Sequence, residues 1–142
     1  MKIKHLLPAL FISGLFAHGA CAEGDAPSLK ADADWIKYRE TKPEAGSPHD
    51  VMLSYFLAKE KGDKETAGKH LSKTLPDWRV KECLESSTPQ DNPIDPKSLN
   101  YRLKFDEYTD HWVIRLGYNL ESGAYRGTSF KLVWEDEQWK LR

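Results

Sequence analysis

From Leu99 onward, apolar side chains recur at every second position, and only short polar turns interrupt the pattern. Tyr101, Leu103 and Phe105 alternate with Arg102, Lys104 and Asp106. Trp112, Ile114, Leu116, Tyr118 and Leu120 share one face against Val113, Arg115, Gly117 and Asn119. Arg126, Thr128, Phe130, Leu132 and Trp134 alternate with Tyr125, Gly127, Ser129, Lys131 and Val133, and a last run sets Trp139 and Leu141 opposite Gln138 and Lys140. A period of two marks half-buried strands. Connections as short as 107–110, 121–123 and 135–137 join only antiparallel neighbours. The pattern therefore predicts an antiparallel meander of about four strands over 99–142, one face of which must be covered.

The residues before it supply the cover. Ser47-Pro48-His49-Asp50 offers a capping hydroxyl, a proline at the first helical position and an acid favoured by the helix dipole. Val51, Met52, Tyr55, Phe56 and Ala58 follow at three- and four-residue spacings, the mark of one buried helical face. Gly62 is placed to end that helix in the left-handed region. Asp63 is placed to cap a second, short helix to about Leu71, with Ala67 and Leu71 on one face. Leu75-Pro76-Asp77-Trp78 opens a third helical segment, in which Trp78, Cys83 and Leu84 are expected to face inward. Residues 86–98, with Pro89, Pro93 and Pro96 among Asp, Asn and Ser, read as a loop. Residues 23–46 read as an acidic tether that turns helical near Trp35 and Ile36, followed by a Pro- and Gly-punctuated connector. The expected class is α+β: helices over 47–85 covering one face of the sheet in a single domain, 47–142.

The first 22 residues differ from the rest. Lys2 and Lys4 precede an apolar run broken only by Pro8, Ser13 and Gly14, and Ala20-Cys21-Ala22 has the small-x-small form of a cleavage site. This is the pattern of a secretory signal peptide, with cleavage expected after Ala22 and the periplasm as the expected compartment. The run is short for a membrane span, and no later stretch approaches the roughly 20 apolar residues that one needs. A lipid anchor at Cys21 is the less favoured alternative, because His18 stands where a lipoprotein signal carries an aliphatic residue. Cleavage after Ala22 would leave 120 of the 142 residues. The whole chain has 21 basic and 22 acidic residues, and loss of Lys2 and Lys4 gives a net charge of −3. Interspersed charge of that balance argues against nucleic acid as a partner. Cys83 would then be the one thiol, as a buried small apolar side chain, an intermolecular disulfide or a reactive group.

The run from Pro48 through Val51, Tyr55, Phe56 and Ala58 to Lys61-Gly62-Asp63 resembles the opening helix pair of the nuclear-transport-factor-2-like (NTF2-like, cystatin-like cone) superfamily. The stretch from Lys131 through Trp134-Glu135-Asp136-Glu137 to Trp139-Lys140-Leu141 is similar to the last hairpin of its small exported bacterial members. The resemblance implies the helix-on-sheet cone, on a scaffold that serves enzymes, ligand-binding proteins and assembly adaptors alike. The long 86–98 loop departs from the compact members.

Enzymes of that superfamily carry Asp, His or Tyr inside the cone, which singles out Tyr101, Tyr118 and Trp112 on the concave side and Asp106 with His111 at the adjoining turn. As a pair, His111 would be the general base and Asp106 its orienter; otherwise they are solvated turn residues. His49 and His70 lack a second ligand at helical spacing, and there is no Gly-rich phosphate loop or G-x-S-x-G elbow, so neither a metal nor a cofactor is expected. Sheet-borne tryptophans and arginines carry more information. Trp112, Trp134, Tyr101, Tyr118, Arg115 and Arg126 are the candidate binding residues. Arg102, Lys104, Lys131, Lys140 and Arg142 lie on the same strands, several opposite Tyr101 and Leu103. An aromatic and basic sheet face is the composition of a recognition surface. The expectation is an exported, non-catalytic protein that binds a protein partner or a small apolar ligand, such as an immunity or envelope-assembly factor. The alternative is a small cone-fold dehydratase or isomerase.

Overall fold

The computed structural model describes residues 24–86 and 88–142. The leader, its cleavage site and Cys21 lie outside these residues. Eight elements follow in order: β1 (Ile36–Lys37), α1 (Pro48–Glu60), α2 (Lys64–Gly68), α3 (Asp77–Leu84), β2 (Ile94–Asp106), β3 (His111–Leu120), β4 (Tyr125–Glu135) and β5 (Gln138–Leu141). The five strands form one antiparallel sheet in chain order, β1-β2-β3-β4-β5. The class is α+β, with five strands where four were expected.

The extra strand corrects the expectation at Trp35 and Ile36. Ile36 pairs with Tyr101 and Lys37 with Asn100, and Tyr38 N–H donates to Leu99 C=O at 3.0 Å. The free edge of β2 presents a row of unpaired backbone groups, and the tether satisfies them by lying down as a strand. A second correction concerns 86–98: β2 begins at Ile94, inside the expected loop. Pro96 has no N–H for the ladder, and the register slips between Asp95 and Asn100. Ser98 repairs the gap, its hydroxyl accepting from Asn119 N–H at 2.7 Å.

The α1 cap forms as expected. Ser47 Oγ accepts from Asp50 N–H at 3.2 Å, Pro48 opens the helix, and Gly62 follows it at φ +77°. Val51, Met52, Tyr55, Phe56 and Ala58 are all buried. Their partners are the alternating inward residues of the sheet: Tyr101, Leu103, Ile114, Leu116, Tyr118, Leu120, Phe130, Leu132, Trp139 and Leu141. Tyr55 meets Phe130 edge-on at 5.2 Å between ring centroids, and Phe56 meets Tyr118 at 4.9 Å. Burial of this kind contributes about 1.5–3 kcal/mol for each large apolar side chain.

Asp63 caps α2, accepting from Thr66 N–H at 3.0 Å, but the helix ends at Gly68. Leu71 instead bridges in parallel to Leu141, and Ser72 N–H donates to Leu141 C=O at 2.8 Å, so the chain after α2 borders β5. In α3, Cys83 is buried and Val80 and Leu84 pack on the core, while Trp78 is 68% exposed, against expectation. Val80, Cys83 and Leu84 share one face at i, i+3 and i+4; Trp78, five residues before Cys83, lies roughly 140° away.

Candidate functional site

The register of β2, β3 and β4 sorts the candidate residues onto two faces. Tyr101 and Tyr118 point at α1 and are buried; the Tyr101 hydroxyl donates to Thr41 C=O at 2.7 Å. Trp112 lies on the same side, half-buried and edge-on to Phe105 at 5.5 Å. Trp134 packs against Trp139 at 5.1 Å, and its indole N–H reaches Gly24 C=O at 2.8 Å. Arg126 pairs across the ladder with Tyr118. Of the six candidates, only Arg115 stands on the opposite face. Five therefore belong to the packed side of the sheet or its margins, and the six do not converge.

Asp106 and His111 are direct cross-strand neighbours, but their polar atoms serve the hairpin that joins them. Asp106 accepts from Tyr108 N–H and from the Thr109 hydroxyl, each at 3.1 Å, while the His111 Nδ1 contacts Thr109 C=O. No bond joins the imidazole to the Asp106 carboxylate among the described residues. The structure brings a different pair together. His49 Nε2 lies 2.7 Å from Asp32 Oδ2, which also accepts from Leu103 N–H at 2.7 Å. Asp32 N–H returns a bond to Leu103 C=O at 2.9 Å. One carboxylate thereby fastens the chain before β1 to both α1 and β2. Its position in an acidic stretch with no periodicity gave no signal of this role.

The face turned away from the helices has a composition of its own. Its rows run Lys37, Asn100, Gly117, Gly127; then Arg102, Arg115, Ser129; then Lys104, Val113, Lys131. Gly117 and Gly127 are exact cross-strand partners, so a patch of bare backbone lies at the centre of the sheet. The Tyr125 ring lies over it: a Cβ built on Gly117 would sit 2.2 Å from Tyr125 Oη and 2.7 Å from Asn100 Oδ1. An aromatic ring laid over glycines shields their backbone. Trp35, 38% exposed, stands across from Tyr125, 58% exposed. Together with Arg115, Gly127, Thr128 and Ser129 they line a cleft of about 240 Å³.

Arg115 and Ser129 also border a second hollow of about 460 Å³, which Arg79, Lys131 and Arg142 line with Asp106 as its one acidic side chain. Arg79 pairs with Glu82 at 2.6 Å. Among the described residues, Arg102, Lys104, Arg115 and Lys131 form no salt bridge. Arg102 Nη2 donates to Ala33 C=O at 2.9 Å, and its Nε is buried with no partner. Asn100 Oδ1, beside Gly117, is likewise buried and unpartnered. Sequence reasoning placed the basic residues on this face but missed Trp35, Tyr125 and the paired glycines.

Set against protein-family models, curated proteins and solved structures, the chain matches none of them.

Proposed function

We propose that this is an exported, non-catalytic binding protein whose bare sheet face recognises a protein partner. One observation carries the reading. The uncovered face places Arg102 directly opposite Arg115, flanks them with Lys104 and Lys131, and offers no carboxylate in a salt bridge to any of the four among the described residues. Like charges set side by side are unfavourable in the free protein and are relieved by a partner of opposite sign. Two exposed aromatic rings beside them fit the composition of interface anchors. The nearly neutral charge of the whole chain favours a protein over a nucleic acid. The rival reading, a cone-fold dehydratase or isomerase, needs space between α1 and the sheet; buried Met52, Tyr55 and Phe56 occupy it. The helix pair and the last hairpin support assignment to the NTF2-like superfamily, and the leader supports a periplasmic location.

The test is capture from an envelope fraction with wild-type protein, Arg115→Glu/Lys131→Glu and a control reversal, Lys64→Glu, on the exposed surface of α2. A partner held by wild type and by the control, and lost with the double reversal, supports the reading. Equal capture by all three, or a small molecule co-purifying with no partner, overturns it.

A further inference from the structure

The two hollows are different in kind, and Arg115 joins them: the smaller lies on the outer face, the larger at its margin, where Arg79 of α3 also lines it. The smaller is a slot bordered by two aromatic rings, Trp35 and Tyr125, and by Arg115, Gly127, Thr128 and Ser129. The larger gathers Lys131, Arg142 and the Glu82-paired Arg79 beside Arg115, with Asp106 as its single acidic side chain, both of whose oxygens are already used within the hairpin. A ligand that satisfies both must present an apolar group and, within a few residues, more than one carboxylate. An extended chain meets both requirements, because successive side chains of an extended segment point alternately down and away.

We propose, resting on the reading above, that the outer face takes an extended acidic peptide segment of its partner, with one apolar side chain seated between Trp35 and Tyr125 and flanking carboxylates at Arg115 and the Lys131–Arg142 hollow. The glycines set the position of one border of the slot: at Gly117 any side chain would displace the Tyr125 hydroxyl, which occupies the space above it. Guanidinium suits a carboxylate better than ammonium does, because its planar fork donates two parallel hydrogen bonds. Arg115 is the residue placed to do so at the junction.

The probe is an acetylated, amidated glutamate-rich peptide of about ten residues with one central leucine. An all-glutamate peptide, a lysine-rich peptide with the same leucine and an oligothymidylate of similar length serve as comparisons. Binding is read from the backbone amide resonances of Gly117 and Gly127 and from the salt dependence of the affinity. The leucine-containing acidic peptide is expected to shift both glycines, to bind several-fold more tightly than the all-glutamate peptide and to weaken with salt. Arg115→Glu should weaken it by roughly tenfold or more, and Trp35→Ala should erase the advantage of the leucine. No shift at millimolar peptide, equal binding by Arg115→Glu, or tighter binding of the oligonucleotide at the same glycines overturns the proposal. If envelope capture still depends on this face while the peptide fails, the peptide ligand is wrong and the protein-binding reading stands.

Discussion

Arg102 and Arg115 occupy directly opposed positions on β2 and β3, side by side on the face that no helix covers. Such a pair costs the fold about 0.2–1 kcal/mol relative to a neutral one. Arg115→Glu converts repulsion into attraction and should therefore stabilise the isolated protein by about 0.5–1 kcal/mol, raising Tm by roughly 2–5 °C. Thermal unfolding at low salt measures it. A variant less stable than wild type would show that the two guanidinium groups are not in conflict.

Gly117→Ala should cost about 1–2 kcal/mol, because the new methyl would meet Tyr125 Oη at 2.2 Å and Asn100 Oδ1 at 2.7 Å. The Tyr125 ring is exposed and able to swing away, so the strain is local. The double variant Gly117→Ala/Tyr125→Ala should recover part of the loss, which a double-mutant cycle in urea reads directly. Additive losses would mean that Tyr125 is not what the methyl strikes.

The β4–β5 connection turns on Asp136 and Glu137, at φ +49° and +60°. Two successive residues with positive φ make the turn that suits the twist of a hairpin, normally filled by Asn-Gly or Asp-Gly. Glu137→Gly should stabilise by about 0.5–1 kcal/mol, since glycine removes a steric cost of roughly 1–2 kcal/mol against a smaller entropic loss. Gly123→Ala, at φ +87°, is the opposite experiment and should destabilise.

The Tyr55 hydroxyl donates to Cys83 C=O at 2.5 Å, satisfying a carbonyl in the last turn of α3 that has no helical partner. Burial pushes the phenol well above its ordinary range, so the donor keeps its proton throughout the working range. Tyr55→Phe should cost about 1–3 kcal/mol with little change in shape. Burial also pushes the Cys83 thiol up, so labelling by a thiol reagent should follow unfolding and accelerate in this variant.

Burial, and then the charge of Lys140, hold the His70 imidazole below its ordinary value of 6.5. The unfolded ring therefore takes up a proton that the folded ring refuses. The contribution of His70 to stability is complete above about pH 7 and is lost as pH falls from the unfolded value toward the lower folded one. Asp63, held down by its hydrogen bond from Thr66, responds only below its ordinary 3.8. His70→Gln should flatten the stability profile between about pH 7 and 5; urea midpoints across that range decide it, and identical slopes would remove His70 as the cause.

The inward residues of the meander and the caps of α1 and α2 were legible because each rests on local spacing: period two, Ser47 before Pro48, and Asp63 after Gly62. Even the glycine pair was within reach. A turn over 121–123 sets Leu120 against Ala124, and counting back along both strands brings Gly117 opposite Gly127. Trp35 was not legible. Its neighbour Ile36 is a strand only because the edge of β2 needs a partner, which no local pattern encodes. The same holds for Asp32, whose three bonds go to His49 and Leu103, far from it in sequence. Trp78 misled because size suggested burial where the angular position on α3 did not.

The bridge between Leu71 and Leu141 has a temporal consequence. Leu141 is fully buried, and β5 sits between β4 and the chain that follows α2, so the first half of the protein cannot close its interior until the last strand has been synthesised. Closure of this core thereby waits for β5, in contrast to a domain whose early segments fold as they emerge. That delay keeps the polypeptide threadable, the condition that passage through a translocation channel imposes under the exported reading proposed above.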